Sequence, residues 1–120
     1  MGLRVKSLTI DCKDPDGLAR FWEQALPSKR TFEEDDEVVI ETTDGYRILF
    51  GKSPDEKTVK NRLHLDLVPD DRDAEVARLE ALGSTRVDIG QTGEETWVVL
   101  ADPEGNEFCI LRARADSDAS

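Results

Sequence analysis

Histidine occurs once in this chain, at position 64, and Asp66 follows it on the same face of what reads as a strand. An imidazole acts near neutral pH as acid, base, hydrogen-bond partner or metal ligand, so any histidine-dependent function rests on His64. Asp66 is placed to orient it. The two stand about 6 to 7 Å apart along a strand at roughly 3.3 Å per residue, which is long for sharing one ion unless a side chain leans. Cys109 is one of two cysteines, with Cys12. A thiolate can bind metal or act as a nucleophile, but no basic sequence neighbour lowers this thiol's pKa, and a small apolar filler is the commoner role. Arg47 can hold an anionic ligand group, or pair with Asp11, Asp66 or Glu107. Trp97 can wall a planar ligand, or pack with Val98, Val99 and Leu100. Ser7 and Thr9 share one side of an N-terminal strand. There is no glycine-rich phosphate loop, nucleophile elbow or zinc-protease motif.

The elements that must position these residues occur twice. Leu3–Cys12 alternates as a half-buried strand. Asp14-Pro15 then starts a helix, an N-cap oxygen followed by a residue that needs no N–H partner. Leu18, Phe21, Trp22 and Ala25 form one apolar stripe, and Pro27 stops the helix. Strands are predicted at Lys29–Phe32, Glu37–Glu41 and Tyr46–Lys52, with turns at the acidic run and at Thr43-Asp44-Gly45. Ser53–Lys60 is polar and reads as a linker. The order then restarts. A strand at Arg62–Val68 puts Leu63, Leu65 and Leu67 on one face and His64 and Asp66 on the other. Asp70 or Asp71 caps a second helix with Val76, Leu79 and Leu82 on its apolar face, and Gly83 ends it. Strands follow at Thr85–Asp88, Thr96–Ala101 and Glu107–Arg112. Ser7 and His64 are 57 positions apart, and Leu49 and Cys109 are 60 apart, so the repeat drifts by loop insertions only.

At 120 residues this is a single domain, 1–112, built of module one 1–52, linker 53–60 and module two 61–112, with a disordered tail at 113–120. The net charge of −11 excludes the usual nucleic-acid binder, which shows a basic face. Much of the acid lies in Glu33–Glu37, where it solvates a loop. No run approaches the roughly 18 apolar residues of a membrane span, and the N-terminus lacks a signal-peptide pattern. Two cysteines make no disulfide framework, so a cytoplasmic location is expected.

Three segments carry a resemblance to a known family. They are Thr9-Ile10-Asp11-Cys12 with Asp14-Pro15 and Ala19-Arg20-Phe21-Trp22, then Lys57 through Leu67, then Trp97 through Cys109 with its Asp-Pro-Glu-Gly-Asn turn. In this order they resemble the glyoxalase/bleomycin resistance/dioxygenase, or vicinal oxygen chelate, superfamily, and within it the short bacterial glyoxalase-like domains. Pro27 departs from the pattern, which has glycine after the Ala-Leu that ends the first helix.

The resemblance implies an α+β fold of two βαβββ modules, whose strands form a curved, cup-shaped mixed sheet with helices on the outer face. It also implies that metal-dependent members hold a divalent ion by one residue from the first and last strand of each module. Those positions here are Ser7, Leu49, His64 and Cys109, where the family pattern is His or Gln, Glu, His, Glu. Only His64 fits. No metal and no cofactor is therefore expected. The reading is a metal-free protein that binds a small organic molecule, of sequestration or resistance type, through Ser7, Thr9, Arg47, Leu49, His64, Asp66, Trp97 and Cys109. Two alternatives stay open: a lyase, isomerase or hydrolase using His64 and Asp66 or an atypical divalent metal, and a non-catalytic partner module with a vestigial cup. Partners are expected to be a small-molecule ligand and a second copy in a homodimer, with no nucleic acid and no membrane.

Overall fold

The computed structural model describes residues 2–87 and 97–112. The predicted strand ends at Asp88 and Thr96 and the tail 113–120 lie outside the described residues. The chain divides into two compact units, Met1–Glu56 and Lys57–Ser120.

In the first unit, β1 (Leu8–Cys12), α1 (Pro15–Ala25), β2 (Ser28–Glu34), β3 (Glu37–Thr42) and β4 (Arg47–Lys52) follow in sequence. The sheet order is β1-β4-β3-β2, with β1 parallel to β4 and the other pairs antiparallel. The Asp14 carboxylate accepts the Gly17 N–H at 3.1 Å, and Pro15 takes the first turn. Leu18, Ala19, Phe21, Trp22 and Ala25 are buried, with Trp22 edge-on to Phe21 at 5.2 Å between ring centroids. Across the sheet Val38 pairs with Phe50 and Ile40 with Ile48, all buried. The departure at Pro27 has a simple cause. Leu26 caps α1 in extended backbone, φ −117° and ψ 140°, as a residue before proline prefers, and the chain runs straight into β2. No left-handed glycine is needed there.

The predicted first strand is too long. Leu3 and Val5 are 96% and 90% exposed, outside any strand. The partner explains it: β4 starts at Arg47, and Leu8 already pairs with Ile48, so residues before Ser7 have no ladder to join.

In the second unit, β5 (Asp66–Leu67), α2 (Arg72–Leu82), β6 (Thr85–Arg86), β7 (Val98–Ala101) and β8 (Glu107–Ile110) repeat the order. The sheet runs β5-β8-β7-β6, again with the first strand parallel to the last. Asp71 caps α2 by accepting the Ala74 N–H at 3.1 Å, and Gly83 ends it at φ 121°. Val76 and Leu79 are buried and Leu82 is half-buried. Buried Asp102 folds the turn before β8, its carboxylate accepting the Glu104 and Asn106 N–H groups at 3.0 Å each. Gly105 gives that turn its positive φ of 91°.

The predicted strand Arg62–Val68 shrinks to two residues, and Leu63 is 82% exposed instead of packing under a helix. In the parallel register Asp66 faces Cys109, so Arg62 and Leu63 would meet the Asp102–Asn106 turn, which offers no extended partner. The architecture is α+β, two βαβββ units each carrying one four-stranded mixed sheet.

Candidate functional site

The second unit gathers the reactive side chains. Asp66 and Cys109 are direct partners across β5 and β8, fixed by Cys109 N–H to Leu65 O and Leu111 N–H to Leu67 O, both 2.9 Å. Such partners present their side chains on one face. His64 precedes β5 and belongs to no ladder, so strand alternation does not fix its ring. It leans over the pair. His64 Nδ1 lies 3.2 Å from Asp66 Oδ1 and 3.9 Å from Cys109 Sγ. The rise of about 6 to 7 Å expected between these two positions is thus bridged by side chains that lean together.

A second contact sets where this segment starts. Lys57 Nζ donates to Glu107 Oε2 and the Asn61 N–H to Glu107 Oε1, each at 2.8 Å. Burial pushes the Glu107 carboxyl up, but Lys57 and the Asn61 N–H outweigh it and hold it below its ordinary value. This anchor was missed from sequence. The available signal was Glu107's alternation with Cys109 on β8.

His64 is partly open, with 35% of its side chain exposed, while Cys109 is buried. Burial raises the Cys109 thiol, and the Asp66 charge and hydrogen bond raise it further, against a smaller lowering by Lys60. The geometry is not that of a nucleophile relay. There the carboxylate and the nucleophile sit on opposite ring nitrogens; here both face Nδ1. What the group can do is receive a polar ligand atom, orient an imidazole as acid or base, or converge on a cation.

Trp97 stands just before β7, 40% exposed, whereas Val99 and Leu100 are buried. Its ring is therefore not absorbed into the core. In the first unit, Ser7 is half-buried immediately before β1, and Thr9 pairs with half-buried Leu49. Arg47 Nη1 donates to Glu41 Oε2 at 3.0 Å, its register partner on β3, and not to Asp11, Asp66 or Glu107. Its buried Nε has no hydrogen-bond partner among the described residues. Cys12 and Cys109 are in no disulfide and both are buried.

The glyoxalase-like domain family matches residues 7–111 by its sequence model, and the chain belongs to that family. No curated protein sequence matches. Among solved structures, a glyoxalase/bleomycin resistance protein/dioxygenase family enzyme from Burkholderia phytofirmans PsJN is similar at TM-score 0.72 and 19% identity, over 89% of this chain and 96% of that one. The genomically encoded fosfomycin resistance protein FosX from Listeria monocytogenes, complexed with manganese(II) and sulfate, is similar at TM-score 0.75 and 15% identity, over 94% and 92%. The oxidase ChaP-H2 is similar at TM-score 0.67 and 18% identity, over 93% and 94%. At these identities the likeness is one of fold.

Proposed function

We propose that this chain binds a small organic molecule without the four-donor metal chemistry of its superfamily. The observation that carries the reading is Leu49. The last strand of module one must supply a carboxylate for the family's metal, and it supplies a hydrocarbon. Ser7, at the first-strand position, is a poor ligand. The structural neighbour with manganese(II) shows that this fold can hold a hard divalent ion. Such an ion favours an oxygen-rich, octahedral set. The four corresponding residues here do not fit it, since they offer one imidazole, one thiol, one hydroxyl and no carboxylate. The expectation of a metal-free chain is accordingly narrowed to that four-donor site.

The groups left over suit a ligand. In the second unit His64 and Asp66 offer a partly open polar pair and Trp97 a ring 40% exposed; in the first unit Arg47 offers a half-buried guanidinium paired with Glu41. Ser7, Thr9, Leu49 and Cys109 complete the proposed contacts. Sequestration is the role this supports, with a second copy as protein partner; among the described residues the sheets end in β1 and β2 and in β5 and β6, edge strands each laddered on one side within its own unit. A cytoplasmic setting suits two buried cysteines that form no disulfide. A thermal-shift screen of small organic anions and heteroaromatics on chelator-treated protein should yield binders. Their effect should fall when His64→Ala or Arg47→Ala removes a polar anchor of about 1 kcal/mol or more. Binders indifferent to every one of these substitutions would refute the reading.

A second reading is favoured by the His64–Asp66 contact at 3.2 Å. A carboxylate-oriented imidazole is what a lyase, isomerase or hydrolase needs as general base. Turnover of any bound hit, abolished by His64→Gln with binding retained, would establish it.

A further inference from the structure

We propose that His64, Asp66 and Cys109 form a three-donor site for a thiophilic, zinc-type divalent cation, built within the second unit alone. It keeps His64 and Cys109 of the four-position site that Leu49 disables, takes Asp66 in place of the first unit's two positions, and uses three of the residues proposed above as organic-ligand contacts.

The ligand atoms of the three residues all lie within 4.8 Å of one another. Zinc bonds nitrogen and oxygen near 2.0–2.2 Å and sulfur near 2.3 Å, so tetrahedral ligands stand about 3.3 to 3.6 Å apart. The observed edges of 3.2 Å from His64 Nδ1 to Asp66 Oδ1 and 3.9 Å from His64 Nδ1 to Cys109 Sγ bracket that range. Separations of up to 4.8 Å must shorten by side-chain rotation, which no ladder resists at His64. Both contacts use one ring nitrogen. That defeats a proton relay but suits convergence on a single ion.

The donor types select the metal. One thiolate, one imidazole and one carboxylate suit zinc, and cobalt(II) as its spectroscopic stand-in, over manganese or magnesium. The fourth position would remain open to water. Binding forms a metal–sulfur bond as the Cys109 thiol releases its proton to solvent. Asp66 supplies the compensating negative charge. Cys109 is buried at the base, so the ion would enter past His64 and Asp66, whose side chains are 35% and 53% exposed.

The test is a cobalt(II) titration of the full, demetallated chain, followed by competition with zinc and with manganese. The expected result is one equivalent of cobalt with a thiolate charge-transfer band, displaced by zinc and not by equimolar manganese. Cys109→Ser should abolish the band, and His64→Gln and Asp66→Asn should each weaken binding roughly 10-fold or more. Cys12→Ser should leave both unchanged. Should Cys109→Ser fail to fold, the partly exposed His64 and Asp66 variants decide the matter alone. Absence of the band in the parent chain, or cobalt affinity that survives both His64→Gln and Asp66→Asn, would overturn the proposal.

Discussion

Arg30 shows how single side chains on this acidic molecule are held, and it is not part of the candidate site. Its guanidinium, 18% exposed, meets Asp16 at 2.8 Å, Glu23 at 2.6 Å and Glu33 at 3.3 Å. Arg30→Ala leaves the half-buried Glu23 without this partner, and should cost about 1–3 kcal/mol in urea unfolding. The hydrogen bond from Arg30 holds the Asp16 carboxyl below its ordinary value of 3.8. A lowered carboxyl stabilises the fold fully above its unfolded pKa, and loses that contribution as pH falls through the lowered folded value. Asp16→Asn should therefore flatten the acid limb of a stability–pH curve and leave its slope near neutrality unchanged. At the site, His64 was legible because it is the sole histidine. Asp66 was legible as the residue that orients it, but not as a group close enough to share one ion, because strand spacing set them apart on paper. Arg47 was legible as a charge to be paired, but its partner, Glu41, depends on a cross-strand register that turn geometry sets.

At the scale of elements, helices were the most legible because their ends are chemically marked. Asp14-Pro15 and Asp71 with Gly83 each carry a start or stop whose mechanism is local. Asp14→Ala and Asp71→Ala should each lower stability by about 1 kcal/mol. Gly83→Ala should cost about 1–2 kcal/mol, since φ there is 121° and a Cβ is disfavoured. Equilibrium denaturation of the three variants checks all of these. Strands were legible in their middles and not at their ends. Leu3–Lys6 and Arg62–Leu63 have strand-like alternation, yet a strand persists only where a partner offers its backbone, and along the register these residues fall opposite positions before Arg47 and before Glu107, where β4 and β8 have not begun. His64, just before β5 and in no ladder, reaches both Asp66 and Cys109.

At the scale of the whole chain, the internal repeat and the Asp-Pro-Glu-Gly-Asn turn made the α+β architecture and the family legible, since they recur in fixed order across residues 7–111. Ligand identity was not legible, because this fold carries several chemistries and specificity lies in a few side chains. The proposed dimer should sediment at about twice the 13.4 kDa chain mass at micromolar concentration; a clean monomer would remove it. The central claim is that binding here does without the superfamily's four-donor metal. It is tested most directly by titrating one organic hit from the thermal-shift screen into the chain by calorimetry, once with chelator and once with excess manganese(II). The expected result is one Kd, equal within about twofold in both, and weakened by His64→Ala by roughly 5-fold or more. Binding that appears only with manganese, or tightens with it by about 10-fold, would contradict the account.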